Sequence, residues 1–430
     1  MRAVALPPLR PAAFFCAVVP PWLDEERDEP ECEALPPRLD APGEFAIRAA
    51  RSFDMPLSFS ASYCFSFLTF ARLFGMSLSF PGPGGGKLAF IPGRELARAF
   101  YAEVVAPLVP DVAHSAAFLG WGSDVVGFDT ERSTDHGWGP RLQVFVGADA
   151  VDDVRSRIER GLPDEFRSWP TRFGWDAVPV SDHVTVTTFG EWLERQLGLD
   201  PRAGMSVVDW LTTPQQLLLE VTGGIVFHDG LDEVEAVRAA LAWYPDDVWR
   251  WLVGCQWWRI EHEESFVGRT AEVGDELGSR VIAARLARDI MRLCFLLERR
   301  YAPYSKWLGS AFAQLDSAAD VGPGLERMLD ARDFADREAG WVSAVEALAA
   351  RHNASGLTEP IDPTVRPFYL RPFRVIAAPR FADATIETVG DPFLRSLPRL
   401  GSIDQFADST DVQSHADVSR RFAAVYGLTM

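Results

Sequence analysis

Apolar and polar positions first fall into a regular pattern near Phe90. Between residues 92 and 109, apolar side chains recur every four positions, which is about one helical turn. These side chains are Leu96, Phe100, Val104 and Leu108. The spacing predicts an amphipathic helix that turns this row of side chains toward a core.

Short apolar segments separated by turn residues follow this helix. They predict strands at 115–119, at about 135–146 and at 183–188. Helices are predicted between and after these strands, at 151–160 and from Glu191 onward. Strands that alternate with helices indicate a small α/β or α+β domain, which we expect to end near residue 200.

Beyond residue 200 the pattern has the helical period almost throughout. The predicted helices are 231–243, 246–265, 272–300, 304–315, 322–331, 335–352, 373–389 and 414–426. In the longest one, the side chains predicted to face a core are Leu277, Val281, Ala284, Leu293 and Leu297. The chain is therefore predicted to be an α+β protein, in which a small mixed-sheet domain precedes a larger all-helical one.

The first 87 residues show neither the helical period nor the alternation of a strand. Residues 1–43 contain nine of the 31 prolines, and residues 52–81 contain seven Phe and seven Ser. We expect a disordered leader or, preferably, translated upstream sequence with Met55 or Met76 as the true start. The predicted organisation is an N-terminal extension at 1–87, an α/β domain at 88–200, a helical bundle at 201–355 and a C-terminal helical segment at 356–430.

Composition narrows the class of protein. The 430 residues include 61 acidic and 42 basic side chains, and the resulting charge of −19 weighs against binding to a nucleic-acid backbone. The five cysteines lack the spacing of a zinc site, as expected for reduced thiols in a cytoplasmic protein. No apolar stretch is long enough to predict a membrane span.

The segment from Leu119 to Val146 has the pattern of a nucleotidyl-transfer site. A Gly122-Ser123 turn follows a predicted strand, where backbone amides and the serine hydroxyl can approach the oxygens of a triphosphate. Asp135 follows after eleven intervening residues, and it is predicted to lie on the next strand and to hold Mg²⁺. A nucleoside triphosphate is thus the expected substrate, and Mg²⁺ is the expected cofactor.

A second metal-binding carboxylate is missing from that predicted strand. Side chains alternate along a strand, so Asp135 and Gly137 are predicted to share one face. Gly137 then stands where nucleotidyltransferases place a second acid. Asp129, in the preceding loop, is the leading candidate to complete the metal site, and His136 and Asp182 are the alternatives.

Several segments together resemble a bacterial family of nucleotidyltransferase-like proteins, the domain-of-unknown-function 4037 family. They are FIPGRELARAFY at 90–101, GSDVVGFDTERSTDHGWGPRLQVF at 122–145, the helical stretch at 272–309, RPFRVIAAPRFADA at 371–384 and LRSLPRLGSIDQFADSTDV at 394–412. The resemblance covers roughly residues 88–430 and implies a nucleotidyltransferase fold followed by a helical substrate domain. It implies no particular substrate. The family pattern has Asp-His-Asp-Trp where this chain has Asp-His-Gly-Trp at 135–138.

Three basic residues are predicted to neutralise the triphosphate. Arg141 follows Asp135 on the same predicted strand face. Lys306 stands at the start of a predicted helix, and the resemblance implies that it contacts the triphosphate. Its alternative is a solvated lysine that packs its stem on Trp307. Arg292 is predicted to line the same groove, with an exposed, salt-bridged helix face as the alternative.

Glu276 is the predicted base that deprotonates the acceptor, as the resemblance to aminoglycoside nucleotidyltransferases implies. Its alternative is an ion pair with Arg280, four residues further along the same helix.

The sequence therefore predicts a cytoplasmic, Mg²⁺-dependent nucleotidyltransferase-like protein. It would transfer a nucleoside monophosphate from a nucleoside triphosphate to a small hydroxyl- or amino-bearing acceptor. The alternative is a nucleotide-binding or interaction protein on the same fold without catalysis, which Gly137 and Thr185 favour because neither supplies an acid. Whether the chain is an enzyme stays open at this point, as does a protein partner, whereas no membrane contact is expected.

Overall fold

The computed structural model describes residues 90–176 and 178–427, and the predicted extension at 1–87 lies outside these described residues. Helices and strands alternate in the first part of the described chain, as predicted. The helices are α1 (Gly93–Phe100), α2 (Ser123–Val126), α3 (Val151–Gly161) and α4 (Phe189–Leu197). The strands are β1 (His114–Phe118), β2 (Leu142–Val146), β3 (Glu165–Phe166), β4 (Trp169–Pro170), β5 (Arg172–Trp175), β6 (Val178–Asp182) and β7 (Val184–Thr187).

A four-stranded mixed sheet joins three of these strands to one from beyond residue 200, β8 (Ile225–Asp229). The strand order is β7-β2-β1-β8. Strand β1 is antiparallel to both β2 and β8, whereas β2 and β7 are parallel. Because β8 pairs with β1, the sheet expected within 88–200 takes its edge strand from the segment that was expected to be helical.

The remaining elements are mostly helical. They are α5 (Val207–Thr212), α6 (Gln215–Thr222), α7 (Val234–Ala240), α8 (Asp246–Glu264), α9 (Phe266–Glu272), α10 (Glu276–Leu297), α11 (Ser305–Phe312), α12 (Ala318–Asp330), α13 (Phe334–Ala354), β9 (Arg366–Pro367), β10 (Arg374–Val375), α14 (Pro379–Glu387), α15 (Pro392–Ser396), α16 (Ile403–Phe406), α17 (Thr410–Ser414) and α18 (Ala416–Ser419). A mixed sheet followed by a large helical portion is an α+β fold, which confirms the predicted fold class.

The long helices pack around a core rich in tryptophan. Helices α8 and α10 lie side by side, and Trp251 and Trp257 on α8 are at most 1% exposed. Each buried indole in this region needs an acceptor for its N–H. Trp249 donates to the carbonyl of Leu296 (2.6 Å), and Trp257 donates to His352 Nδ1 (3.1 Å). Within residues 90–176 and 178–427, no helix combines the length and apolar character needed to cross a bilayer.

The predicted strand at 135–146 is wrong in its first half. Strand β2 begins only at Leu142, and Asp135 ends a short 3₁₀ turn that starts at Glu131. The intervening Gly137 and Gly139 both have positive φ, +61° and +157°, which is incompatible with a regular strand. The argument that placed Asp135 and Gly137 on one strand face therefore does not hold.

The predicted buried face of α10 is also wrong over its first turns. Leu277 and Val281 are 75% and 53% exposed, and Ala284 is exposed as well, whereas Leu293 is completely buried and Leu297 is half-buried. The buried face begins with two small side chains, Ser279 and Ala283, which a search for large apolar residues overlooks. It continues through Leu286 and Ile290.

Candidate functional site

A cavity of about 430 Å³ opens at the end of β1, where the sheet meets the helical portion. The loop after β1 and the segment that leads into β2 form one side of it. Helix α6, the start of α11 and helix α17 form the other side. A cavity of this volume is large enough for a small organic molecule.

A buried ion pair lies beneath the loop that follows β1. Arg141 Nη2 donates to Asp124 Oδ1 (2.6 Å) and to the carbonyl of Trp121 (2.9 Å), and the two charged side chains are 5% and 3% exposed. The backbone of Gly122 lies against this pair and has a φ of +127°. A Cβ at this position would overlap both charged groups. Glycine is therefore required at 122, since any side chain would displace the ion pair.

The start of α1 holds two carboxylates close together behind this loop. The N–H of Gly93 donates to Asp129 Oδ2 at 2.7 Å, and a Cβ on Gly93 would stand 2.6 Å from the Cβ of Asp124. Burial raises the pKa of Asp124, an effect that the Arg141 guanidinium opposes and the nearby Asp129 increases. Asp129 thus binds the first turn of a helix, where negative charge is stabilised.

The segment before β2 carries the exposed acid of the cavity. Thr130 and Ser133 form a reciprocal capping box that begins the 3₁₀ turn. At the end of that turn, His136 Nδ1 donates to Asp135 Oδ1 at 2.7 Å, and the two side chains are 61% and 70% exposed. Asp135, His136 and the exposed Arg132 all line the cavity.

Gly137 is needed for a close approach to an aromatic ring. Its φ is +61°, and a Cβ there would lie 3.0 Å from two ring carbons of Trp121. The Trp121 ring in turn contacts Trp175, with the ring centroids 5.5 Å apart, and the Arg141 guanidinium, 4.6 Å from the ring centroid. The turn conformation and the indole ring explain glycine at this position, so we withdraw the interpretation of Gly137 as a lost ligand on a strand.

The helical side of the cavity is held by amide side chains of α6. Gln216 Oε1 accepts the N–H of Tyr304 (3.1 Å), and Gln216 Nε2 donates to Glu220 Oε1 (2.8 Å). The other oxygen of Glu220 accepts from Gln196 (2.5 Å). Burial raises the pKa of Glu220, and these amide hydrogen bonds oppose that shift. The network ties α6 to the residues that precede α11.

Lys306 enters the cavity from the start of α11. Its Nζ lies 5.0 Å from the ring centroid of Trp307, whose ring stacks on Phe128 with centroids 5.3 Å apart. The lysine thus contacts Trp307, as the structural alternative expected, and it also lines the cavity together with Gly122 and Ser123.

Of the predicted site residues, four line one cavity. They are Gly122, Ser123, Asp135 and Lys306. Arg141 and Asp129 do not line it. Arg141 forms an ion pair with Asp124 beneath the loop, and Asp129 accepts a hydrogen bond from the start of α1.

Two other predicted site residues lie away from the cavity. Arg292 donates to the carbonyl of Asp404, and burial lowers its pKa. Glu276 contacts Arg337 and, at 3.1 Å, Arg280, and these hydrogen bonds lower its pKa. Arg292 and Glu276 are therefore not among the residues that line the cavity with Gly122, Ser123, Asp135 and Lys306. The ion pair with Arg280, the alternative for Glu276, is present.

The model of a family described as Domain of unknown function (DUF4037) matches residues 210–308. This match confirms the resemblance for the part of the chain that contains α6, α10 and Lys306, whereas residues 122–145 lie outside it. No curated protein matches the chain. A solved structure of a nucleotidyltransferase-like protein from Exiguobacterium sibiricum is similar at 12% identity, with a TM-score of 0.30. The alignment covers 61% of this chain and 77% of that one.

The predicted magnesium site does not fit the residues in place. Magnesium takes six oxygen ligands in a near-ideal octahedron. Across the described ranges, no group of three or more His, Cys, Asp or Glu side chains is arranged to hold a metal ion. One oxygen of Asp129 is bonded to Gly93, and one oxygen of Asp135 is bonded to His136. Asp135 and Asp129 thus do not form the expected pair of ligands.

Four residues of the site were missed by sequence reasoning. The sequence contains a feature that could have indicated Asp124. This residue directly follows the Gly122-Ser123 turn, where a buried counter-charge can lie. The same is true of Gln216 and Glu220, since they form a polar pair one helical turn apart within an apolar helix. No such feature indicates Arg132, because its turn has no period that would indicate a cavity.

Proposed function

We propose that the cavity binds a nucleoside triphosphate and that the chain is a nucleotide-binding protein. One observation carries this proposal: Lys306 lines the same cavity as Gly122 and Ser123, although it comes from a distant part of the chain. An ammonium group and a serine hydroxyl suit phosphate oxygens. The indole rings of Trp121 and Trp307, which also line the cavity, offer surfaces on which a base can stack.

Calorimetric titration of the full chain with each of the four ribonucleoside triphosphates tests this proposal. We expect saturable binding of at least one of them, weakened about tenfold or more in Lys306→Gln because a charge-assisted contact is lost. Arg395→Gln is the matched control, since Arg395 is an exposed cationic residue on α15 that does not line the cavity. Absence of binding for all four nucleotides would contradict the proposal.

Nucleotidyl transfer to a small hydroxyl- or amino-bearing acceptor is the second candidate function. It is favoured by Asp135, an exposed carboxylate that lines the cavity together with Ser123 and Lys306. In this reaction an acceptor oxygen or nitrogen attacks the α-phosphorus, and pyrophosphate leaves. The test is pyrophosphate release in the presence of Mg²⁺, with each nucleotide and with mixtures of amino and hydroxyl acceptors.

The two candidates differ in what Asp135→Asn does. A transferase should lose acceptor-dependent pyrophosphate release in this variant, while its melting temperature stays within a few degrees. A nucleotide-binding protein should release no pyrophosphate with any acceptor, before or after the substitution.

A further inference from the structure

We infer that the cavity holds the phosphate chain directly through Arg132 and Lys306, without a divalent cation bridging protein and phosphate. This inference rests on the proposed function, because it takes a nucleoside triphosphate as the ligand. It adds Arg132 to the binding residues and assigns the recognition of phosphate to side-chain cations.

Arg132 and Lys306 are the cationic side chains of the cavity that form no ion pair with an Asp or Glu of the described residues. Both are exposed and both line the cavity. Neither has a carboxylate partner in the part of the chain that the structure describes, although ion pairs hold many of its other arginines. Arg132 comes from the turn before β2 and Lys306 from the start of α11, so cations approach the cavity from two of its walls.

The acids of the cavity, in contrast, are already bonded within the protein. Asp124 is paired with Arg141, and Glu220 accepts hydrogen bonds from two glutamine side chains. Asp135 accepts from His136. Each of these carboxylates therefore has at most one oxygen without a donor, and across the described ranges no group of three or more His, Cys, Asp or Glu side chains is arranged to hold a metal ion.

The two cations complement each other chemically. A guanidinium can donate two parallel hydrogen bonds to one phosphate group, whereas an ammonium acts as a compact point charge that adapts to several oxygens. Trp138 adds an indole donor to the cavity. It lines the cavity, it is 6% exposed, and its Nε1–H has no hydrogen-bond partner among the described residues, so a ligand oxygen can accept from it.

Titration of the full chain with ATP in EDTA, and separately in Mg²⁺, tests the inference. We expect the dissociation constant in EDTA to be equal to or lower than that in Mg²⁺, because Mg²⁺ on the nucleotide neutralises the charge that Arg132 and Lys306 recognise. Arg132→Gln and Lys306→Gln should each weaken binding in EDTA about tenfold or more, while Arg395→Gln leaves it unchanged.

Inorganic tripolyphosphate is the second probe, since it has the phosphate chain without the nucleoside. Arg132→Gln should weaken the binding of tripolyphosphate and of ATP by a similar factor, because the arginine contacts phosphate in both ligands. Loss of ATP affinity with unchanged tripolyphosphate affinity would overturn the assignment of Arg132.

The remaining outcomes separate this inference from the proposed function. Binding of ATP only in Mg²⁺ would overturn the inference and leave the proposed function intact. Equal affinity of wild type, Arg132→Gln and Lys306→Gln in EDTA would overturn it as well. No binding of ATP, GTP, CTP or UTP in either buffer would overturn both.

Discussion

Two acid–base pairs lie within the same site, and they differ in almost every respect. Asp124 and Arg141 are buried beneath the loop after β1, with exposures of 3% and 5%. Asp135 and His136 lie at the end of the turn before β2, with exposures of 70% and 61%. The hydrogen-bonded atoms are 2.6 Å apart in the buried pair and 2.7 Å apart in the exposed pair, so burial and not distance distinguishes the pairs.

The difference explains why a charged residue near a phosphate-binding loop need not bind phosphate. Removing one member of a buried pair leaves an uncompensated charge and costs several kcal/mol, whereas an exposed pair contributes about 0–1 kcal/mol. Arg141 is thus committed to the fold. Asp135 and His136 remain accessible, and a ligand can use them without unfolding the loop.

The largest expected effect is on the buried pair. Arg141→Ala should lower the free energy of unfolding by about 3–5 kcal/mol, because Asp124 would be left charged and unpaired in the interior. Asp135→Asn, in the exposed pair, should change it by less than about 0.5 kcal/mol. Urea denaturation of both variants measures the contrast, and equal losses would show that the two pairs do not differ as described.

The glycine above the buried pair gives the next largest effect. Gly122→Ala should cost about 3 kcal/mol, because it combines a positive φ with overlap on Asp124 and Arg141. Gly274→Ala is the matched control, since Gly274 also has a positive φ, +79°, but nothing lies within 4 Å of the added Cβ. We expect a loss of about 1 kcal/mol there from backbone strain alone. If both variants lose the same amount in urea denaturation, contact with the ion pair has no role.

The buried Glu220 gives a smaller effect that depends on pH. Its raised pKa means that the folded state favours the protonated carboxyl, so its contribution to stability is full below the ordinary value of 4.5. That contribution is lost as the pH rises through the raised pKa. Arg141, His415 and Tyr304 are the titratable groups that interact with it.

Glu220→Gln should therefore flatten the decline in stability as the pH rises above 4.5, relative to wild type. Unfolding free energies measured at several pH values decide the matter. A wild-type slope in Glu220→Gln would mean that this carboxyl does not titrate differently in the folded state.

The smallest expected effect comes from Gly137. Asp and Asn both tolerate a left-handed backbone, so Gly137→Asp and Gly137→Asn should each cost about 1 kcal/mol, including the pressure on Trp121. The two variants differ mainly in charge. Only Gly137→Asp should make nucleotide binding respond to Mg²⁺, by several-fold, because Gly137 lines the cavity and the substitution adds a carboxylate to the cavity wall. An equal response of the two variants to Mg²⁺ would show that the added carboxylate does not bind the ion.

The sequence predicted the elements whose signals are local. The four-residue period predicted α1, and the glycine-serine turn after an apolar segment predicted the loop at one end of the cavity. The position of Lys306 at the start of a helix was also predicted, because a cation beside an aromatic residue after a helix stop is visible in the chain itself. These features depend on neighbouring residues and not on the packing of distant segments.

The features that sequence reasoning missed depend on distant contacts. The strand expected at Asp135 is interrupted by positive φ values at Gly137 and Gly139, which a side-chain pattern does not reveal. Arg141 appeared to be a phosphate ligand because its partner, Asp124, precedes it by seventeen positions. Strand β8 reads as an isolated apolar segment within helical sequence, and only its pairing with β1 makes it part of the sheet.

A crystal structure of the full chain with a non-hydrolysable ATP analogue tests the central claim most directly. The account predicts the triphosphate in the 430 Å³ cavity, within hydrogen-bond distance of Ser123 Oγ and Lys306 Nζ, with the Asp124–Arg141 pair still closed beneath the loop. An analogue bound elsewhere on the chain would contradict it. So would an analogue whose phosphates are held by Arg141 after that residue has separated from Asp124.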